Sequence, residues 1–313
     1  MIDVDSFKKY NSAYGNIEDD EVLLKAVKLI EKAFIEDLVF RYGGEELSVI
    51  SKIRGKIDIL FNKGVLMYID IHNHLDFYKE NINEAIKDIN ENKILTIASS
   101  IDIESYTKNK EYSKKSQYII PTFGVHPSCV ANIKCDLCEL IPYIKESKLI
   151  GEIGLDFLWV EDRKLDSLQR EIYYFLLKES AKLNKYIVIH TKNAEEEIYN
   201  SLKNIKYNKA IIHWYSGPLN ILEKLIDLGC YFSISVDVGY SKLTEEIVKK
   251  IPIDKLLVET DGPTALEWVN GEYGYPSEIK RVVKDIAFFK KLKEEDIINV
   301  IYKNYSNIIK NVQ

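Results

Sequence analysis

The sequence contains little cysteine and no long apolar run. Among its 313 residues there are four cysteines, and no stretch approaches the roughly 20 apolar residues that a membrane-spanning helix needs. The first residues, 1–15, carry neither a basic start nor an apolar segment, so no signal peptide is readable. These absences argue against a membrane span and against secretion, and they predict a cytoplasmic protein.

The cysteines include one CxxC pair, Cys135 and Cys138, and two single residues, Cys129 and Cys230. A structural zinc site usually combines two such pairs, or one pair with histidines at a matching spacing. Neither arrangement accompanies this pair. We therefore predict four reduced thiols without a metal.

The chain also has no excess of positive charge, because its 43 basic residues are fewer than its 49 acidic ones and the net charge is −6. A protein that binds nucleic acid by covering its phosphates is usually basic. Any nucleic acid must therefore be held by a local groove and by bound cations. The basic stretch with Lys108, Lys110, Lys114 and Lys115 either adds to such a groove or is a solvated helix face.

From Met67 onward, short runs rich in β-branched residues alternate with amphipathic segments. Eight runs predict strands, at 67–71, 93–99, 118–125, 148–155, 186–190, 210–214, 231–236 and 256–260. Helical spacing marks intervening segments such as 165–183 and 219–228. Eight βα units favour closure into a TIM-like (β/α)8 barrel, an α/β fold. A doubly wound open sheet is the alternative, but no GxGxxG or GxxxxGK[ST] phosphate loop supports it.

Residues 1–66 follow a different pattern. Apolar residues at helical spacing predict one helix over 22–34, and a second apolar stripe predicts another over 47–61, with Gly43 and Gly44 between them. The prediction is an N-terminal helical hairpin, so the domain boundaries are 1–66 for the extension and 67–313 for the barrel.

Histidine is scarce, and its placement is informative. Each of the five histidines falls at or just after the carboxyl end of a predicted strand; they are His72, His74, His126, His190 and His213. In a (β/α)8 barrel these strand ends form the active-site face. Histidines that only satisfy hydrogen bonds in the core would have no reason to share this position, so the set predicts a functional site.

Two carboxylates share this placement, Glu152 in the fourth strand and Asp261 after the eighth. Because side chains alternate along a strand, His72 and His74 point to the same side and form a natural chelate. Imidazole and carboxylate ligands together suit Zn²⁺ or Mn²⁺, and the carboxylates also permit Mg²⁺. Four histidines and two acids are more ligands than one catalytic ion uses. The residues therefore favour two divalent metal ions.

Seven motifs follow one another along the chain: DIHNHLD (70–76), FGVHP (123–127), IGEIGLD (150–156), QRE (169–171), VIHTKNA (188–194), IIHWYSG (211–217) and VETDGP (258–263). In this order they resemble the motifs of the TatD family of metal-dependent deoxyribonucleases. The resemblance spans about residues 68–310 and includes Asn304, which is similar to the family's C-terminal asparagine. This sequence departs from the family at position 192, where it has lysine and the family usually has arginine. Lysine keeps the charge but loses the bidentate grip on phosphate.

The resemblance implies a role for each matched ligand. His72, His74 and Asp261 would hold the first ion. Glu152 would bridge to a second ion, which His190 and His213 would also bind.

The predicted catalytic residues are Asp261, Glu152, His126 and Lys192. The resemblance implies that His126 would lie close to the scissile phosphate rather than on a metal. We expect Asp261 to act as the general base, and His126 with Lys192 to stabilise the non-bridging oxygens. Glu259 and Asp70 are candidate partners that fix imidazole tautomers.

Aromatic residues lie near the predicted mouth of the barrel, namely Phe77, Trp159, Trp214, Tyr215 and Trp268. Bases of single-stranded DNA stack on such rings, and aromatic residues equally pack loops. We predict that Trp214 and Tyr215 bind substrate.

Together these features predict a hydrolase that cleaves phosphodiester bonds of DNA, single-stranded and from an end, with a water activated by two metals. One alternative is a related barrel hydrolase that acts on an ester, an amide or an aminoacyl-tRNA bond. Another is a TatD-like subunit of a larger assembly, such as an anti-phage system. Residues 1–66 would then contact a protein partner or mediate self-association.

Overall fold

A computed structural model describes residues 37–41, 47–51 and 67–310. The chain divides into two compact units, 1–66 and 67–313. In the first unit, strands β1 (Asp37–Arg41) and β2 (Leu47–Ser51) pair in antiparallel register, with Val39 opposite Val49.

The prediction of a second helix over 47–61 is therefore wrong at residues 47–51. The segment contains Val49 and Ile50, whose branched side chains favour strands, and it follows a Gly-Gly pair of the kind that connects hairpin strands. The first predicted helix, 22–34, lies outside the described residues.

Eight parallel strands form the centre of the second unit. They are β3 (Ile69–Asn73), β4 (Leu95–Ser99), β5 (Ile119–Thr122), β6 (Ile150–Asp156), β7 (Ile187–Lys192), β8 (Ala210–His213), β9 (Tyr231–Ile234) and β10 (Leu256–Val258). Each overlaps one of the eight predicted runs. Pairing along the sheets follows chain order, as β3-β4-β5 and as β6 through β10.

Backbone contacts join the two sheets into a closed ring. On one side, a parallel bridge links Phe123 to Ile150. On the other, the Asp261 amide donates to the His72 carbonyl at 3.0 Å, and the His74 amide donates to the Gly262 carbonyl at 3.1 Å. This second junction holds three of the predicted metal ligands, so closing the barrel also assembles part of the site.

Helices follow the strands and form the outer layer. They are α1 (Ile82–Asn92), α2 (Ile103–Ser113), α3 (Ile141–Glu146), α4 (Asp166–Lys182), α5 (Glu195–Asn204), α6 (Leu219–Leu228), α7 (Lys242–Lys250), α8 (Thr264–Asn270), α9 (Ile279–Lys290) and α10 (Glu294–Lys310). The predicted helix over 219–228 has the bounds of α6, and the one over 165–183 differs from α4 by one residue at each end. The second unit is thus a TIM-like (β/α)8 barrel.

Helix α6 shows why the sequence folds in this way. Ile221, Leu222 and Leu225 recur at helical spacing and are buried. Gly229 ends the helix in the left-handed conformation, with φ of 97°, which costs glycine little. Among the described residues, no helix is both long and apolar enough to cross a membrane.

The basic stretch lies on α2 and just after it. Lys108 pairs with Glu104 at 2.7 Å, and Lys110 pairs with Glu146 at 2.6 Å. Lys114, just after the helix, pairs with Glu111 of α2 at 2.6 Å. These exposed ion pairs favour a solvated helix face over a nucleic-acid groove.

Candidate metal centre

Glu152 lies at the centre of the predicted site, and its two carboxylate oxygens face different histidines. Oε2 is 3.4 Å from His72 Nε2 and 3.2 Å from His74 Nε2. Oε1 is 2.9 Å from His190 Nδ1 and 2.8 Å from His213 Nε2. One buried carboxylate therefore joins two groups of nitrogens.

The first group consists of His72, His74 and Asp261 around Oε2. The two Nε2 atoms are 3.1 Å apart. Asp261 Oδ1 lies 3.6 Å from one and 3.5 Å from the other. All three residues are buried.

The second group consists of His126, His190 and His213 around Oε1. His190 Nδ1 lies 3.3 Å from both His126 Nε2 and His213 Nε2, and His126 Nε2 lies 3.7 Å from Glu152 Oε1. The His126 side chain is the most exposed of the three, at 16%. It therefore lies on the open side of the group, within reach of the same space as the other nitrogens.

The residues fit divalent cations. Nitrogens that face one another at 3.1–3.3 Å repel through their lone pairs unless a proton or a cation lies between them. Burial lowers the pKa of His72 to about 4 and that of His126 to about 3, so both rings are neutral. Burial acts in the same direction on His74 and His213, but Glu152 and the neighbouring carboxylates outweigh it and raise their pKa values to about 9 and about 10, so each of these rings holds a proton that a cation would replace. Burial alone would raise the pKa of Glu152, but the charge of His213 and the hydrogen bond with His190 hold it well below its usual range. Neutral imidazole with ionised carboxylate is the donor set that Zn²⁺ and Mn²⁺ take.

The outward nitrogen of most rings is held by a second contact. Ser99 Oγ is 2.9 Å from His72 Nδ1, Glu259 Oε1 is 3.3 Å from His213 Nδ1, and Ser128 Oγ is 2.7 Å from His126 Nδ1. Glu259 thus lies where the sequence predicted it, against an imidazole.

Asp70 does not contact an imidazole ring. It accepts hydrogen bonds from the Thr260 amide at 2.9 Å and from the Asn73 side chain at 3.2 Å. Its structural effect is to hold β3 against the segment that follows β10, so its predicted role at a tautomer is wrong.

Sequence reasoning missed Asp156, which is the partner of His190. Its Oδ2 lies 2.9 Å from His190 Nε2, and its Oδ1 accepts from the amides of Leu158 at 2.9 Å and Trp159 at 2.7 Å. Gln169 hydrogen-bonds both the amide and the carbonyl of Asp156. The signal was present, because Asp156 lies four residues after Glu152 on one strand and so faces the same side.

Lys192 is buried beside the second group and is held at the end of β7. Its Nζ donates to the Trp214 carbonyl at 3.0 Å and to Ser216 Oγ at 2.9 Å. Burial lowers its pKa.

Two strand-end residues, Trp214 (φ 35°) and Asp261 (φ 47°), have left-handed backbones, a strain that often occurs at functional sites.

A cleft of about 190 Å³ opens onto the centre, and its walls include His126, Lys192 and Trp214. Tyr215 does not line it. That ring is buried against Phe232, and its hydroxyl donates to the Pro218 carbonyl at 2.7 Å. The prediction that Tyr215 binds substrate is therefore wrong, because the chain turns after Trp214 and directs the next side chain inward.

The four cysteines are free. Within the described part of the chain, the groups that could hold a metal are formed by histidine and glutamate, at the centre described above.

Residues 1–59 match the family model of the diguanylate cyclase GGDEF domain. In chain order, strands β1 and β2 flank the sequence Gly43-Gly44-Glu45-Glu46. This match concerns the first unit alone.

Residues 69–310 match the family model described as TatD related DNase. An uncharacterized metal-dependent hydrolase of Buchnera aphidicola is 30% identical over 266 residues, covering 78% of this chain and 99% of its own. One from Methanocaldococcus jannaschii is 28% identical over 249 residues, covering 78% and 97%. The crystal structure of YjjV, a TatD homologue of Escherichia coli, superposes with a TM-score of 0.70 at 20% identity, covering 77% and 97%. The chain belongs to the TatD family of metal-dependent hydrolases.

Proposed function

We propose that this hydrolase cleaves phosphodiester bonds of DNA, in single strands and from an end, and that its site binds two divalent cations. The observation that supports this most directly is the division of Glu152 between two groups of nitrogens. The description of the family model as a DNase supports DNA as the substrate class.

The proposed ligands come from the two groups, without His126, which we assign to the phosphate. His72, His74 and Asp261 would hold one cation, His190 and His213 the other, and Glu152 would contact both. Cations bound there lower the pKa of water and offset the negative charge that builds up in phosphoryl transfer.

The chain's own groups would then move the proton and hold the phosphate. Asp261 accepts the proton of the attacking water, and burial, which raises its pKa, suits it to act as a base. His126 and Lys192 donate to the non-bridging oxygens, since both line the cleft beside Glu152. The Lys192 ammonium group donates one proton to the Trp214 carbonyl and one to Ser216 Oγ, so its third proton remains to donate to the substrate.

The test uses 5′-labelled single-stranded DNA with Mg²⁺, Mn²⁺ or Zn²⁺, and with EDTA as the control. We expect cleavage that depends on the metal, and no cleavage of circular single-stranded DNA, because that substrate has no end. Metal analysis of the purified protein should give two ions per chain. DNA left intact with every metal, while an aminoacyl or carboxyl ester is hydrolysed, would replace the proposal with the alternative barrel hydrolase.

We further propose that residues 1–66 contact a protein, either a partner or a second copy of this chain. The matched relatives correspond to 78% of this chain over 97–99% of their own length, so this segment is additional to their hydrolase unit. Light scattering on the full chain and on a shortened chain that begins at Met67 tests self-association. A larger mass for the full chain alone would support it, and equal monomers would leave the partner as the remaining form of the proposal.

A further inference from the structure

All three tryptophans of the chain line one cavity next to the metal centre. Trp159 follows β6, Trp214 follows β8, and Trp268 lies in α8. The cavity measures about 630 Å³, which lies within the range of roughly 300–1,000 Å³ that is usual for ligand pockets. Three separate segments therefore bring their largest aromatic side chains to the same place.

Two of the three rings are exposed although they are held in defined positions, and the Trp214 ring is partly buried. Trp159 is 52% exposed and Trp268 is 65% exposed. Trp268 lies nearly parallel to Trp214, with centroids 6.2 Å apart, and is 5.9 Å from Trp159. Large apolar surfaces that stay in water while facing one another indicate a binding site rather than core packing.

The pocket is lined by one basic side chain, Lys192, and one acidic side chain, Asp237. Lys192 Nζ lies 5.0 Å from the centre of the Trp159 ring and 5.4 Å from that of Trp214. These cation–π positions are therefore filled by the chain itself, so the exposed ring faces remain for an uncharged group. The pocket suits a flat, uncharged group attached to an anion.

The pocket is continuous with the metal centre. Lys192 and the three tryptophans line both this cavity and the cleft over Glu152, and the Trp159 ring lies 6.1 Å from the His190 ring. A ligand whose flat group enters the pocket would therefore place an attached phosphate at the metal centre.

We propose that the three tryptophans form a base-binding subsite, which stacks the nucleobase of the nucleotide next to the scissile phosphate. This inference rests on the proposed function, because it takes the substrate to be a nucleic acid. Stacking uses the face that every base presents, so we expect the subsite to accept all four bases.

Binding can be tested without metal. Because every tryptophan lines the pocket, intrinsic tryptophan fluorescence reports on the pocket and the adjoining cleft. In EDTA, a short single-stranded oligonucleotide should quench this fluorescence, whereas an oligonucleotide of abasic residues at the same charge should not. Equal quenching by both would overturn the subsite.

Substitution tests the same point during cleavage. In Trp268→Ala the ratio of kcat/KM for base-bearing DNA to that for abasic DNA should fall about 5- to 100-fold, the loss expected for one stacking contact. Trp268→Phe, which keeps a ring, should restore most of it. Phe288→Ala is the matched control, because Phe288 is 77% exposed on α9 and lines neither cavity. An unchanged ratio in Trp268→Ala would overturn the proposal.

The two proposals fail separately. Quenching by base-bearing DNA without cleavage under any metal would support the base-binding subsite and contradict the nuclease. Cleavage with no selective quenching and no change in Trp268→Ala would support the nuclease and contradict the subsite.

Discussion

The first and second groups, which form the two halves of the candidate metal centre, differ in the partners that contact the outward nitrogens of their imidazole rings. In the first group, the outward nitrogen of His72 faces the uncharged hydroxyl of Ser99, and the Nδ1 of His74 has no hydrogen-bond partner. In the second group, His190 faces the carboxylate of Asp156 and His213 faces that of Glu259. A carboxylate behind an imidazole fixes its tautomer and makes it a stronger ligand.

The two groups therefore carry their negative charge in different positions relative to the imidazole rings. The first group has a carboxylate, Asp261, among the atoms that face Glu152. The second has carboxylates behind two of its three rings, His190 and His213. We therefore expect the second group to depend more on residues that do not touch the metal.

The largest effect is expected where the two halves share a residue. Glu152→Gln removes the charge that both groups face, so we expect loss of bound metal from both. The value of kcat/KM should fall by more than about 10³-fold, since metal assistance contributes several kcal/mol. Metal content and kinetics measure this, with circular dichroism to confirm folding. A variant that keeps two ions and full activity would show that Glu152 does not join the halves.

An intermediate effect is expected at the residues that contact the outward nitrogens of the imidazole rings. Asp156→Asn keeps an acceptor for the loop amides but loses the charge behind His190. We expect a loss of about 10- to 100-fold in metal affinity or activity. Ser99→Ala, which removes an uncharged partner from His72, should cost only a few-fold by comparison. Equal losses in metal titrations of the two variants would contradict the difference between the halves.

The smallest effect is expected at Tyr215, outside both halves. Tyr215→Phe removes the hydrogen bond to Pro218, which should reduce the free energy of unfolding by about 1 kcal/mol. Urea denaturation measures the loss, and KM for DNA should stay constant. A raised KM with unchanged stability would restore the interpretation that Tyr215 binds substrate.

The barrel could be predicted because its signals are periodic. Runs such as that of β7 repeat eight times with helical spacing between them, and the histidines at their ends mark one face. That reasoning needs only the direction of each strand, so it also placed Glu152 and Asp261 at the same rim.

Other features depend on where a side chain points after its strand has ended. Tyr215 follows Trp214, whose left-handed backbone turns the chain, and no periodicity predicts that turn. The pair β1 and β2 was missed because a five-residue strand and one turn of an amphipathic helix both contain a few apolar residues. The contact between Asp156 and His190 joins the neighbouring strands β6 and β7, so the spacing from Glu152 indicates the side on which Asp156 lies, but only the strand register gives its partner.

Asp156 also has a thermodynamic consequence. One of its oxygens faces His190, and the other holds the amides at the start of the loop that carries Trp159. Any ligand that fixes this loop therefore helps to fix the imidazole, and linkage requires the benefit to be equal in the opposite direction. When metal is scarce, the arrival of substrate would itself favour loading of the enzyme with its ion.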